Sequence, residues 1–468
     1  MAAQARVDVG GILRPQGRLD LSTALQPYDA TLGTRAAAHL LRRAGFGGTP
    51  DEIRRFAAVP ASEAAAMLVA VPSANSIAPP SEADVDGPLG KRETRESLVA
   101  LQLWWLNRML TTPAPLQEKM TLYFHGHFTS RATPRFPRIT YNQNALFRRN
   151  ATGNLRDLTA QVSIDAAMLI YLDGANNVAS HPNENYAREL MELFTLGVDN
   201  YSENDVRESA RAWTGWRVAR TTDTVRFDPR LHDGGRKTFL GRTGYFGGDE
   251  IVSIIFDQPE CARFFAASLL NLFVYNDPEP ELVDAVARAI RVHDFELAPV
   301  LRAILASNVF YSPRAYRALV KSPAEFVIGT YKALGLPSVD AMAIESLAQM
   351  GQRLFFPPSV AGWPGGQNWL TSGTMIARQN FLTRLLGSRT LDASSWLRGL
   401  PVQPQNAAAT LAATILQDDV APASLAELDG YLSGSGSAAL ASLSAENFDE
   451  RVSGAVYLAM ATPGYQLN

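Results

Sequence analysis

Several features are scarce in this sequence of 468 residues, and each scarcity excludes a class of protein. The single cysteine, Cys261, excludes an internal disulfide framework. Charged residues make up 19% of the chain, below the usual value of about 25%. The net charge is −3, so no strong field of one sign favours nucleic acid. The most apolar stretch, 98–110, is too short and too polar to span a membrane.

Familiar motifs are missing as well. The sequence has no phosphate-binding loop, no dinucleotide-binding glycine pattern and no nucleophile-elbow serine, so we expect no nucleotide cofactor. The opening MAAQARVDVG lacks the apolar stretch of a signal peptide. Predicted strands never alternate with helices, which argues against a parallel sheet.

Helical periodicity is abundant. It predicts a mainly α fold, with a single large multi-helical domain over 34–468 that follows an extended N-terminal segment over 1–33. We expect a small β-hairpin and long ordered loops on one side of this domain. The predicted loop insertions lie at 72–91, 216–250 and 355–373.

The most informative predicted helix covers 184–196. At 100° per residue its polar side chains form one narrow stripe inside a broad apolar arc, which indicates burial on most sides. We interpret the stripe as functional. A solvated row in which Arg188 pairs with Glu184 or Glu192 would give the same pattern. The members of the stripe are Asn185, Arg188, Glu189 and Glu192.

Two histidines flank a glycine in the run 124–128. His125 and His127 would lie about 200° apart on a continuous helix, but a left-handed Gly126 could end the helix and let them converge. With the two carboxylates of the stripe, they would form a mixed nitrogen and oxygen site for Zn, Fe or Mn. The alternative is one histidine at the helix terminus and the other packed against aromatic rings.

Four of the six histidines lie between 125 and 232, the stretch that also holds the stripe. His232 and Asp233 open a glycine-rich run, HDGGRKTFLG, where Asp233 could orient an imidazole or bind a cation. The equal alternative is the ordinary turn that Asp followed by Gly forms. We expect Arg188 or Lys237 to hold an anionic group.

A loop over 354–370 combines prolines and glycines with two tryptophans. Trp363 and Trp369, if exposed beside acidic groups, would suit the faces of sugar rings. The alternative, which we favour, is a wrapping loop that inserts its tryptophans into the helical core.

The run NENYARELMELFTLG, which ends at Gly197, closely resembles the signature of a bacterial family known as domain of unknown function 1800. In that family the histidine motif usually reads Trp-His-Asn-His-Phe, whereas here Phe124 and Gly126 replace the Trp and the Asn. Other segments match in order over nearly the whole chain. They are LLRRAGFG (40–47), FHGHFTS (124–130), Tyr201 through TGW, HDGGRKTFLG (232–241), VKSPAEF (320–326), GQRLFFPPSVAGWPGGQNWL (351–370) and the ending TPGYQLN.

The resemblance implies no activity. It implies export to the periplasm or the medium, as in many members, although no signal peptide is visible in this chain. It also implies a sulfatase-like partner protein, because members are often paired with such a family.

Taken together, these features predict a metal-dependent hydrolase that acts on a glycan or a similar polar substrate, since a metal-bound water needs no further cofactor. Three alternatives stay open: a metal-dependent oxidoreductase, a metal-free glycosidase with paired carboxylates, and a non-enzymatic binding or secretion partner. The candidate catalytic residues are Glu189, Glu192, Asp233, His232 and Arg188. The candidate metal ligands are His125, His127, Glu189 and Glu192. The candidate substrate contacts are Asn185, Lys237, Trp363 and Trp369.

Overall fold

The helices dominate this structure, a computed structural model that describes residues 20–70, 78–85, 91–132, 136–219, 224–387, 393–400, 407–417, 422–433 and 445–468. The prediction of a mainly α fold is confirmed. The α-helices are α1 Gly33–Arg43, α2 Pro50–Ala57, α3 Ala61–Val69, α4 Glu82–Val85, α5 Lys91–Thr111, α6 Pro115–His127, α7 Pro137–Arg149, α8 Leu155–Ser163, α9 Ala166–Tyr171, α10 Asn185–Glu189, α11 Glu203–Ala212, α12 Gly248–Asp257, α13 Pro259–Phe273, α14 Pro280–Val292, α15 Leu297–Leu305, α16 Pro323–Ala333, α17 Ala341–Gln349, α18 Ser372–Gly387, α19 Ala393–Gly399, α20 Ala407–Leu416, α21 Pro422–Ser433 and α22 Ala445–Ala461.

The strands among the described residues form two short antiparallel hairpins. Strand β1, Trp216–Ala219, pairs with β2, Thr224–Phe227, so that Trp216 lies opposite Phe227. Strand β3, Lys237–Phe239, pairs with β4, Arg242–Gly244. Both hairpins fall in the predicted loop insertion at 216–250, where one hairpin was expected.

The first of two compact units comprises residues 1–64, 307–351 and 365–468. Local sequence signals explain where its helices begin. Thr49 accepts a hydrogen bond from Glu52 N, and the Glu52 carboxylate accepts one from Thr49 N, which satisfies two free amides at the start of α2. Ser322 and Glu325 form the same capping box at the start of α16.

The second unit comprises residues 65–306 and 352–364. Helix α6 is almost entirely buried in it, with Phe124 and Phe128 packed against Phe147 of α7. A charged group is buried beside these rings. Glu118, which is 0% exposed, accepts hydrogen bonds from Arg148 of α7 at 2.6 and 2.9 Å, and from Arg108 of α5 at 2.5 Å.

Helix α6 runs through Gly126 and ends only at His127. The sequence had allowed an end at Gly126. Gly362 lies directly on this turn with a φ of +86°, and a Cβ atom there would overlap the carbonyl oxygen of Gly126. Two glycines therefore let the 352–364 segment approach the backbone of α6 closely.

The other predictions on organisation are tested only in part. The predicted segment 1–33 and the loop 72–91 lie largely outside the described residues, although α4 and the start of α5 fall within the latter. The predicted loop 355–373 contains a 3₁₀ turn, Gly366–Trp369. The single-domain arrangement stays a prediction. Among the described residues, no helix is long and apolar enough to cross a membrane.

Candidate functional site

The helix that carries the polar stripe changes its winding half-way. After α10 ends at Glu189, residues Leu190–Thr195 continue as a π-helix. Such turns are rare and occur frequently at functional sites. The predicted apolar arc is largely buried: Leu193 is half-buried, and its other four side chains are buried. These four are Tyr186, Leu190, Met191 and Phe194.

Two charged side chains of the stripe have protein partners. Arg188 donates to the two carboxylate oxygens of Glu203 at 2.7 and 2.8 Å, and to Glu184 at 3.3 Å. Glu192 Oε2 accepts a 2.7 Å hydrogen bond from the hydroxyl of Tyr201. Arg188 is therefore already neutralised by neighbouring carboxylates, which leaves little of its charge for the anionic group that the sequence assigned to it.

Glu189 differs from these neighbours. Its side chain is half-buried, and it makes no hydrogen bond or ion pair with any residue that the structure describes. Burial, and then the charge of Glu192, raise the pKa of its carboxyl, while Arg188 acts in the opposite direction. A carboxyl that keeps its proton to higher pH and stays accessible is suited to proton transfer.

Tyr171, at the end of α9, interacts electrostatically both with Glu189 of this stripe and with Arg131. Burial raises the pKa of the Tyr171 hydroxyl, Arg131 lowers it, and Glu189 raises it further. The phenol therefore lies within electrostatic range of both charges. We call Tyr171, Arg188, Glu189, Glu192 and Tyr201 the carboxylate patch.

His127 supports the π-helix rather than facing a ligand. Its Nε2 donates a 2.9 Å hydrogen bond to the carbonyl oxygen of Phe194, which lies in the π-helical turn. The Tyr123 hydroxyl lies 3.4 Å from the other ring nitrogen, Nδ1. Burial lowers the pKa of His127 to about 4, with the Phe194 carbonyl acting in the opposite direction, so the ring is neutral.

His125 is fixed by a chain of hydrogen bonds that starts at Glu118. Arg148 donates to Glu118 and, at 2.7 Å, to Asn144 Oδ1. The Asn144 amide nitrogen must then face His125, and it donates to Nε2 at 3.0 Å. The neutral ring of His125 therefore carries its proton on Nδ1. Burial, with a smaller contribution from Arg148, lowers its pKa to about 3.

The structure does not bring these two histidines together. His125 packs against Trp105, Phe147 and Phe355, whereas His127 packs against a different set of rings. Because α6 is continuous, the two imidazoles keep the angular separation of about 200° that positions two residues apart have on a helix. Within the described ranges, no three His, Cys, Asp or Glu side chains are grouped as metal ligands. The predicted four-residue metal site does not fit this arrangement.

The glycine-rich run after His232 is a closed turn. The Asp233 carboxylate accepts hydrogen bonds from Arg211 at 2.7 and 3.1 Å and from Gly235 N at 2.8 Å. Lys237 is 1% exposed, and its Nζ donates to the carbonyls of Asp233 and Gly235. Lys237 therefore lies out of reach of a bound substrate, and Asp233 has the partners of a structural turn residue.

His232 itself keeps one nitrogen available. Its Nδ1 donates to the Thr214 carbonyl at 2.9 Å, and its ring stacks edge-on against Phe227. No described residue bonds to Nε2, and the side chain is half-exposed. This arrangement leaves a lone pair for a proton or a metal.

The two tryptophans of the loop belong to different units. Trp363 is half-buried, donates to the carbonyl of Arg353 at 3.2 Å, and packs on Gly126 of α6. Trp369 is half-buried in the first unit. Trp363 thus acts as a packing residue, which agrees with the wrapping-loop interpretation. Asn185, the remaining candidate, is exposed at the start of α10.

Sequence reasoning missed the residues that surround the candidate groups. Tyr201 could have been selected from the sequence, because it begins one of the segments that carry the family resemblance. Glu118 lies in the first turn of α6, where a carboxylate among apolar side chains would have indicated a buried ion pair. Tyr171 and Asn144 had no local signal, since their roles depend on contacts between separate helices.

The fold and the patch define a class: a mainly helical protein with an accessible carboxyl pair where an α-helix continues into a π-helical turn. Within that class, the chain belongs to the family described as "Protein of unknown function (DUF1800)", whose model matches residues 39–467. No curated protein and no solved structure matches the chain.

Proposed function

We propose that this protein is a hydrolase that works by proton transfer between carboxyl groups, with Glu189 as the acid and a glycan or similar polar molecule as the substrate. One observation carries the proposal. Glu189 is a half-buried carboxyl without a described hydrogen-bond partner, and its pKa is raised by burial and by Glu192. Structural carboxylates of the same unit, such as Asp233 and Glu203, are instead paired with arginines.

The two carboxyls would divide the chemistry between them. Glu189 donates its proton to the leaving-group oxygen while the bond from that oxygen to carbon breaks. A water molecule adds to the same carbon, and its proton passes to the carboxylate of Glu192, so that charge and atoms balance. The hydrogen bond from Tyr201 keeps the Glu192 carboxylate in one position.

The surroundings of the pair support a sugar-like substrate. Tyr201 donates to Glu192, and Tyr171 lies within electrostatic range of Glu189; each side chain combines an apolar ring with a hydroxyl at its tip. Glu189 ends α10 and Glu192 lies in the π-helical turn that follows, close enough for the charge of Glu192 to raise the pKa of the Glu189 carboxyl.

The proposal is tested by replacing the acid. We expect Glu189→Gln to lower hydrolysis of a panel of polysaccharides and aryl glycosides by about 10²–10⁴-fold, since this is the usual contribution of a positioned acid. The matched control is Glu260→Gln, which removes another half-buried carboxyl of the same unit that has no described partner. Turnover that survives in Glu189→Gln, or fails equally in both variants, would overturn the assignment.

A second test needs no substrate. Carbodiimide activates the protonated form of a carboxyl, so at pH 6 Glu189 should be labelled faster than Glu260, as measured by peptide mass spectrometry. Equal labelling of the two residues would contradict a raised pKa at Glu189.

A metal-assisted version of the same hydrolysis, or an oxidoreductase, is the second candidate, and His232 is the observation that favours it. Its Nδ1 is fixed on the Thr214 carbonyl, which is the arrangement that orients a metal-binding imidazole. Elemental analysis separates the candidates. About one transition metal per chain that is lost in His232→Ala supports the metal version, whereas turnover that resists chelators supports the carboxyl pair.

A further inference from the structure

Three segments that carry the family resemblance meet around one cleft of the first unit. LLRRAGFG supplies Arg42, VKSPAEF supplies Lys321 and Glu325, and TPGYQLN supplies Tyr465 and Asn468. The cleft has a volume of about 320 Å³, its open mouth included. The carboxylate patch belongs to the second unit.

Among the described residues around the cleft, buried positive charges outnumber buried negative charges. Five cationic side chains are buried in or behind it, each no more than 8% exposed. Among the described residues, Glu325 is the buried acidic side chain that acts on Lys321, and it is 7% exposed. The five are Arg42, Arg43, Arg317, Lys321 and Arg378.

Lys321 is the cation with the fewest partners. Its Nζ lies 3.7 Å from the centre of the Tyr465 ring and makes no hydrogen bond or ion pair with any described residue. Burial, then Arg317 and Arg42, hold the pKa of Lys321 well below its usual value. Behind it, Arg378 Nε is buried without a hydrogen-bond partner among the described side chains and backbone. A buried ammonium beside other cations is unfavourable unless an anion compensates it.

We propose that this cleft binds a small oxyanion, phosphate or sulfate, between Lys321 and Arg42. Three glycines line the cleft, where they let the backbone segments of its wall pack closely together. They are Gly47, Gly48 and Gly329. The mouth is open, so the anion is either free or the end of a larger ester.

The test measures thermal stability and heat of binding of the full chain in inorganic phosphate and in sulfate, against potassium chloride at equal ionic strength. We expect saturable stabilisation by the oxyanions and a loss of affinity of about tenfold or more in Lys321→Met, because one charge-assisted contact is removed. Without oxyanion, Lys321→Met should be at least as stable as the wild type, since it removes a buried charge. Phenyl phosphate distinguishes the sources: binding equal to that of phosphate indicates an ester.

The matched control is Lys332→Met. Lys332 is 3% exposed and lies in α16 of the same unit, but its Nζ pairs with Glu52 at 3.3 Å. This variant should lose stability and keep the oxyanion response. If Lys321→Met does not fold, ion chromatography of denatured wild-type protein serves instead, with about one oxyanion per chain expected. A response equal to that in chloride, an unchanged response in Lys321→Met, or no released oxyanion would overturn the proposal.

Discussion

Glu118 and Glu189 belong to the same unit, and their surroundings are opposite. Glu118 is fully buried, yet its two oxygens are bonded by Arg148, Arg108 and the Trp105 indole. Burial alone would raise its pKa, but Arg148 and Arg108 outweigh burial and hold the pKa below its usual value. Glu189 is more accessible, and its pKa is raised.

The comparison shows that burial alone does not indicate function. A charge whose hydrogen-bonding atoms are all paired with other protein groups supports the fold. A charge that the protein leaves unsatisfied costs stability, and that cost is expected where a ligand or a reaction uses the group. The same distinction separates Asp233 from Glu189, and Lys332 from Lys321.

The largest effect is expected from breaking the satisfied carboxylate. Glu118→Gln should lower the free energy of unfolding by about 3–5 kcal/mol, because two buried arginines lose their counter-charge. Urea unfolding followed by circular dichroism measures this loss. Glu189→Gln should change stability by less than about 0.5 kcal/mol or increase it. A similar loss in both variants would remove the distinction between the two carboxyls.

Acid tests the same unit in a second way, through buried His125 and half-buried His127. Their pKa values are about 3 for His125 and about 4 for His127, below the unfolded value of about 6.5. Their contribution to stability is therefore complete above pH 6.5 and is lost as pH falls towards 4 and 3. We expect a loss of roughly 2 kcal/mol for each histidine at pH 5.

Urea unfolding between pH 7.5 and 5 checks this dependence. A His127→Phe variant should show a shallower pH dependence, because one of the two titrating groups is gone. Stability that is constant over this range would mean that the histidines are not neutral and buried as described.

The smallest effect is expected from Tyr201→Phe, which removes the hydrogen bond to Glu192. The free energy of unfolding should fall by about 0.5–1.5 kcal/mol, and labelling of Glu192 by carbodiimide should become faster. Tyr141→Phe is the control, since the structure describes ring contacts but no hydroxyl hydrogen bond for Tyr141. Equal behaviour of the two variants would show that Tyr201 does not hold Glu192.

Local signals predicted the parts of the fold that depend on neighbouring residues. The capping boxes at Thr49 and Ser202 each consist of a hydroxyl and an acid three residues apart, a spacing that is visible in the sequence. The apolar arc of the 184–196 helix followed from its periodicity. The π-helical turn did not, because the tertiary contact from His127 to the Phe194 carbonyl supports it.

The histidine pair shows why the remaining features of the site could not be predicted from the sequence. Whether Gly126 ends α6 depends on Gly362, more than two hundred residues away, and the spacing alone allowed both outcomes. The hydrogen-bond chain from Glu118 to His125 joins two helices through Asn144, so no local pattern encodes it. The excess of buried cations around Lys321 likewise appears only when distant segments meet.

Titration of the Glu189 side chain by carbon NMR, with Glu189→Gln to assign its signal, tests the central claim most directly. We expect a midpoint above the ordinary value of about 4.3, and a lower midpoint in Glu192→Gln, where the neighbouring negative charge is absent. A midpoint at or below the ordinary value, unaffected by Glu192→Gln, would contradict the role of Glu189 as the acid.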